Sequence, residues 1–390
     1  MNAHAAPGRR TLRQLRQDIH QHPELGFQEH RTAALIVNEL RAAGVENIHE
    51  GVGGTGIVAL IRKGRSQRSI GIRADMDALP LNDAKASAHR SRHTGRMHGC
   101  GHDGHSAILI GAARELVDTP FDGTVALIFQ PAEEGLGGAM SMIDDGLFDR
   151  FQIDQVYALH NWPGLPLGKV AIRCGAMMSA VDRFDITILG KGGHAAQPHI
   201  TIDPIPVAAQ LVGQLQTIVS RSCDPTDATV LSVTRIDAGT AYNVIPDTAL
   251  IQGTVRTISA DSRRRVEQQL RMMATSVAVA SGARCEISYH RGTPPTINSL
   301  VETDMLRTAA QDAFGVDNVE ELSTPSLAGE DFACFLERRP GAFIRLGNGT
   351  DGAALHSPHY DFNDDAIDIG VRLWTTLARH ALPVSGRSEA

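Results

Sequence analysis

A chain of 390 residues with 37 basic and 44 acidic side chains, a formal charge of −7, is longer than one ordinary compact unit, and two domains are expected. The acidic balance argues against broad electrostatic capture of nucleic acid or of an anionic membrane surface. Hydrophobic residues at 42% and charged residues at 21% are the proportions of a folded globular chain, which excludes a disordered one.

The opening "MNAHAAPGRRTLRQ" lacks the apolar core of a secretory signal, and no run approaches the ~18 apolar residues of a membrane span. Five scattered cysteines in no paired spacing suit a reducing compartment. The expectation is a cytoplasmic protein without a disulfide framework. Next, "EHRTAALIVNELRAAG" has helical spacing and ends on Gly44, a natural helix stop. "TGIVALI" and "SIGIRAD" read as buried strands, "HSAILIGAARELVD" as a helix and "GTVALIFQ" as a strand. This alternation predicts an α/β domain with a mostly parallel sheet.

From Arg183 the pattern changes to strand "RFDITILG", helix "DPIPVAAQLVGQLQTIVSR", strands "ATVLSVTRI" and "TALIQGTVRT", helix "SRRRVEQQLRMMATSVAVA" and strand "RCEISYH". That βαββαβ order is the ferredoxin-like split motif, so residues 183–293 are expected to be an inserted domain. Residues 1–182 and 294–390 then form one discontinuous domain. After a hinge of Gly and Pro at 292–295, the helix "SLVETDMLRTAAQDAFG", the strand "GAFIRLG" and a last amphipathic helix around "DDAIDIGVRLWTTLARHAL" complete it.

The chemistry concentrates just after strands, where ligands of open α/β sheets bind. In "MHGCGHDGHS", the Cys100 thiolate and the His102 imidazole are good ligands for zinc or a similar ion, with glycines at 99, 101 and 104 letting the backbone fold tightly. The bland alternative is a glycine-rich loop with incidental polar groups. In "QPAEEG", Glu133 and Glu134 follow an apolar strand; if one ligates metal, the other is free to act as a base. His160 in "YALHNWPG" and His356 in "ALHSPHYDF" also follow apolar stretches, where a lone histidine is more often a core residue.

Taken in order, "HPELGFQEHRT", "RADMDALP", "GRMHGCGHDGH", "QPAEEG", "ALHNWPG", "GKGGHAAQPH", "NVIPD" and "GEDFA" resemble the amidohydrolase family of hippurate hydrolase, N-acyl-amino-acid amidohydrolases and plant auxin-conjugate hydrolases, over nearly the whole chain. The resemblance implies a metal-dependent hydrolase with an inserted lid or dimerisation domain. It makes Cys100, His102, Glu134, His160 and His356 the metal ligands, Glu133 the general base on a metal-bound water, and His194 the donor to the developing oxyanion. Asp75, Asp77, His98, Asp103 and His105 are expected to support the ligands rather than bind metal. Five ligands exceed what one tetrahedral ion takes, so two ions are expected per subunit, about 3.5–4 Å apart. Zinc, manganese, cobalt and nickel all suit donors of this mixed softness.

An amino-acid leaving group carries a carboxylate, for which Arg291 and Asn243 are the candidates. The expected reaction is amide hydrolysis of N-acyl-amino acids. A dipeptidase or carboxypeptidase using the same centre is the nearest rival, and the lack of an obvious acidic cluster to grip a free amine favours the blocked substrate. A Cys100 thiol nucleophile would leave the glutamate pair without a role, and a non-catalytic binding protein would not need Glu133. The lid sheet is expected to pair two copies, giving a homodimer in which His194 serves the partner's site.

Overall fold

The structure, a computed structural model, describes residues 9–384. The described residues divide into two compact units, one of residues up to 175, 297–323 and 331 onward, the other of residues 176–296 and 324–330. The division falls at 176 and 296 rather than 183 and 293. The short segment 324–330 also joins the second unit, where Ser326 N donates to Met177 O and Ser179 Oγ to Leu327 O.

The first unit is built on an eight-stranded sheet of β1 (Asn47–Val52), β2 (Gly56–Lys63), β3 (Ser69–Asp75), β4 (Gly123–Gln130), β5 (Gln155–Trp162), β6 (Val170–Ile172), β7 (Val319–Glu321) and β8 (Gly341–Gly347), in the order β1-β2-β4-β3-β5-β8-β6-β7. Its centre, β4-β3-β5-β8, is parallel, while β1-β2-β4 and β8-β6 pair antiparallel. β3 is buried along its whole length, as expected of a central strand covered on both faces. The helices α1 (Leu12–Gln21), α2 (His30–Ala42), α3 (His102–Leu116), α4 (Leu300–Phe314) and α5 (Ala366–Ala381) contribute apolar faces to one continuous core, in which Leu15, Ile108, Leu306 and Trp374 are fully or almost fully buried.

α1 starts on a reciprocal cap between Thr11 and Gln14. Its inward face carries a charge, because Arg16 is 1% exposed. The guanidinium donates to Asp364 Oδ1 at 2.7 Å, Asp361 Oδ1 at 2.9 Å and the Phe362 carbonyl at 2.6 Å. A buried arginine is tolerated when carboxylates and carbonyls take up most of its fork in this way; Nη1, without a hydrogen-bond partner, lies 3.7 Å from the Asp103 carboxylate.

α3 begins at His102, three residues before the helix read from the sequence. The glycines that suggested a loop have packing causes. Gly101 sits at φ 92, and a Cβ there would lie 2.3 Å from Asn161 Oδ1; at Gly104 it would lie 2.3 Å from the Phe362 ring. The helix therefore needs glycine at both positions to approach β5 and the segment before α5.

The second unit has the element order strand, helix, strand, strand, helix, strand. Its four antiparallel strands lie in the order Thr229–Ala238, Thr248–Thr257, Ala180–Leu189, Arg284–Arg291. Alternate residues Phe184, Ile186 and Ile188 face a core shared with Leu211 and Leu215 of the helix Pro204–Thr217 and with Val266 and Leu270 of the helix Ala260–Ala280. Asp182, 1% exposed, ties this unit together. It accepts from Arg263 at 2.6 Å, from the Tyr289 hydroxyl at 2.9 Å and from Gly292 N at 3.1 Å. Among the described residues no helix is long and apolar enough to cross a membrane.

Candidate metal centre

Because β3, β4 and β5 are parallel neighbours, the segments leaving their carboxyl ends converge although the sequence separates them. Asp75 ends β3, Glu133 and Glu134 follow β4, and His160 lies near the end of β5. Cys100 and His102 arrive from the turn into α3, and His356 is drawn in by its own N–H donating to Gly99 O at 2.8 Å. Three overlapping groups of donors result: Cys100, His102 and His160; Cys100, Glu134 and His356; His102, Glu133 and Glu134. Within each group the donor atoms lie within 4.8 Å of one another. The structure thus brings together all five ligand candidates and Glu133.

The donor set and its electrostatics fit a divalent cation. His102 Nδ1 is 3.0 Å from the Asp77 carbonyl and 3.1 Å from its carboxylate, so this nitrogen carries the proton. Nε2, left with its lone pair, is buried without a hydrogen-bond partner. Burial opposes a positive charge on His102, but Asp75 and Asp77 outweigh it and raise its proton affinity well above normal. The same field favours a metal cation. His160 donates from Nδ1 to Asn161 O at 2.7 Å and directs Nε2 to Cys100 Sγ at 3.3 Å. Burial, with His105 nearby, keeps it neutral and able to donate a lone pair. Burial and the Glu134 carboxylate push the Cys100 thiol well above its ordinary value. A thiolate there calls for a cation beside it.

The supporting residues are engaged elsewhere. His105 holds Asp75 Oδ1 at 2.6 Å through Nδ1 and Asn161 Oδ1 at 2.7 Å through Nε2, so neither ring nitrogen is free to ligate. Burial would raise Asp75, yet Arg73 at 2.6 Å and the two histidines hold its carboxyl well below the usual range. Asp77 Oδ2 accepts from Glu134 N at 3.0 Å and fixes the turn after β4. Asp103 bonds His20 Nδ1 at 2.7 Å on α1, away from the donor groups. His98 is fully buried beside Cys100, and burial lowers it to about 4, so it stays neutral.

Two residues without a role in the sequence reading shape the glutamate turn. Ala132 adopts φ 53, unusual for a side chain with a Cβ. Glu29 holds it there by accepting from Ala132 N at 2.9 Å. Asp331 accepts from Gln130 Nε2 at 2.7 Å, Arg73 Nη2 at 3.2 Å and Ala139 N at 3.0 Å, and its own N–H points to Glu133 Oε1 at 3.4 Å. Both sit in quoted motifs, "GFQEHRT" and "GEDFA", but only the folded topology shows what they hold.

Gly101→Ala is expected to destabilise the first unit by at least about 1–3 kcal/mol, combining a disfavoured backbone conformation with overpacking. Urea unfolding would measure it. A stability equal to that of the parent would mean that the turn can relax away from Asn161 and Tyr360.

The second unit carries the other candidates. His194 pairs across a two-residue ladder with Val244, and Ala195 N donates to Asn243 O at 3.0 Å, so His194 and Asn243 are neighbours on an exposed rim. Arg291 ends the edge strand Arg284–Arg291, half exposed, with Nε bonded to Glu267 at 2.8 Å.

A set of imidazole, thiol and carboxylate donors at the carboxyl ends of a parallel sheet defines a divalent-metal centre of the hydrolytic kind. The chain belongs to peptidase family M20/M25/M40, whose match spans residues 71–380. It is thereby a hydrolase of amide bonds. It is 40% identical over 364 residues to hippurate hydrolase of Campylobacter jejuni, covering 93% of this chain and 94% of the relative. It is 41% identical over 357 residues to N-acetyl-L-cysteine deacetylase of Bacillus subtilis, covering 90% and 84%. The fold superposes with TM-score 0.82 and 34% identity on the Bacillus subtilis YXEP protein, described as a dinuclear metal-binding peptidase of the M20 family, over 94% of this chain and 96% of that one.

Proposed function

We propose that the chain hydrolyses the amide bond of N-acyl-amino acids at a centre of two divalent ions, zinc, manganese, cobalt or nickel, held by Cys100, His102, Glu134, His160 and His356. The observation that carries this reading is the overlap of three donor groups joined pairwise through Cys100, His102 and Glu134, with Glu133 in one of them. When bound, the ions would polarise the amide carbonyl and make water more acidic. Glu133 takes the proton from the attacking water and delivers it to the leaving nitrogen, so the C–N bond breaks as a neutral amine forms. Its neighbour Glu134 is committed to the ions, which divides the labour of the pair.

His194 donates a hydrogen bond to the oxyanion, and Asn243 and Arg291 receive the substrate carboxylate. For that, Arg291 must exchange Glu267 for substrate. A panel of N-acetyl-, N-benzoyl- and indole-acyl-amino acids beside unblocked dipeptides tests the substrate class. Cleavage confined to unblocked dipeptides would instead make the chain a dipeptidase.

The second unit is read as a ferredoxin-like lid inserted in the catalytic domain, and the working form as a cytoplasmic homodimer joined through it. In that dimer His194 serves the partner's site. Mixing inactive Glu133→Ala and His194→Ala proteins under subunit exchange is then expected to restore about a quarter of wild-type activity, since half the dimers carry one intact site of two. Mixed dimers that form and stay inactive would show that His194 does not act in trans.

A further inference from the structure

The turn that carries Glu133 is gripped on both sides by buried carboxylates. The residue after it, Glu134, donates its N–H to Asp77 Oδ2 at 3.0 Å, and Asp77 Oδ1 stands 3.1 Å from His102 Nδ1, so this side of the turn is tied to the ligand candidates. The residue before it, Ala132, donates its N–H to Glu29 Oε1 at 2.9 Å. Glu29 precedes α2, is fully buried, and accepts from the Thr55 hydroxyl at 2.5 Å through its second oxygen. It enters none of the candidate metal-donor groups found among the described residues.

Ala132 is the strained member of the turn. It is fully buried at φ 53, in the left-handed region that glycine enters freely and that a residue with a Cβ occupies less readily by roughly five- to thirtyfold. Its carbonyl accepts from Gly138 N at 3.0 Å, and a Cβ on Gly26 would lie 2.9 Å from the Ala132 methyl, so the segment before α2 packs directly on the turn. Peptide units are rigid, and rotation at Ala132 therefore swings the whole of the next unit and redirects the Glu133 side chain. Relaxation would also leave a buried N–H without an acceptor.

We propose that Glu29 is a positioning residue for Glu133: its carboxylate holds Ala132 in the left-handed conformation that aims Glu133 at His102 and Glu134, and so sets the rate of proton transfer without touching metal or substrate. The effect on rate rests on the hydrolase reading above; the brace does not. Reach matters here and charge does not. Glutamine at position 29 keeps an oxygen for the Ala132 N–H and can donate from its amide to Thr55 Oγ, whereas aspartate keeps the charge and falls one carbon–carbon bond short.

The brace is read by amide hydrogen exchange over residues 131–135 in the metal-loaded enzyme. Exchange is expected to quicken at least about tenfold in Glu29→Asp and to stay near wild type in Glu29→Gln. Equal exchange in Glu29→Asp and wild type overturns the proposal, as does a Glu29→Gln protein that behaves like Glu29→Asp. If Glu29→Asp does not fold, Thr55→Val, which releases the other carboxylate oxygen, decides in its place: exchange no faster than in wild type overturns the proposal.

The rate is read with N-benzoylglycine. In Glu29→Asp kcat is expected to fall about tenfold or more, with KM and metal content unchanged and with wild-type kcat in Glu29→Gln. Adding Ala132→Gly to Glu29→Asp is expected to recover at least about threefold, because glycine adopts the left-handed conformation without the brace. A purely structural role for Glu29 would give additive losses instead, and additivity overturns the proposal. So does a loss of metal in Glu29→Asp, which would place its action on the ligands. If Glu133→Gln cleaves as wild type does, the general-base reading fails and the rate claim with it, while hydrogen exchange, which needs no catalysis, still decides the brace.

Discussion

Glu133→Gln is expected to lower kcat by about 10²–10⁴-fold, the usual contribution of a general base, with little change in KM and none in metal content. Glutamine keeps the length of the side chain and an oxygen for the Asp331 N–H that now points to Glu133 at 3.4 Å. What it loses is the capacity to accept a proton. Because Glu133 enters only one of the three groups built from the proposed ligands, its other grouping being with Glu330 and Asp331, the ions would keep their other ligands. Activity within threefold of wild type would remove Glu133 from the mechanism. A parallel loss of metal would move it into the ligand set.

Exhaustive chelation is expected to abolish activity and to lower thermal stability, both reversed by adding back a divalent ion. An ion bound to the folded chain at a thousandfold excess over its Kd stabilises it by about 4 kcal/mol, a shift easily read in a thermal scan. The metal-free centre would retain a thiol pushed up by burial and a negative field around His102. Retained activity in chelator, combined with inactivation by a thiol alkylating reagent, would point to Cys100 as a nucleophile instead.

The elements with strong apolar periodicity were legible in the sequence. Strands β3 and β4 and the helix Ala260–Ala280 lie where their patterns put them, because burial on a fixed face demands those residues. β1, with the burial pattern of a mostly exposed edge, and the three-residue strands β6 and β7 carried no such signal. The cluster itself was legible as chemistry, since cysteine, histidine and paired glutamates are costly to gather without a use. The support was not. Glu29 and Asp331 act on residues about a hundred and two hundred positions away, and only strand order brings them there.

The grip of Arg16 on Asp361 and Asp364 has a consequence for biosynthesis. Helix α1 cannot seat its cation until residues 361 and 364 have emerged, because its acceptors lie 345 and 348 residues downstream. Lys85 likewise waits for the Tyr360 carbonyl, 275 residues ahead. Most of the second unit is one uninterrupted stretch, residues 176–296, and is available to fold while the first unit is still open. Synthesis from the N-terminus would thus finish the interrupted unit last, and a nascent chain stalled before residue 356 would lack the histidine that closes the donor cluster. A complete donor cluster is in this way tied to synthesis of the chain through His356.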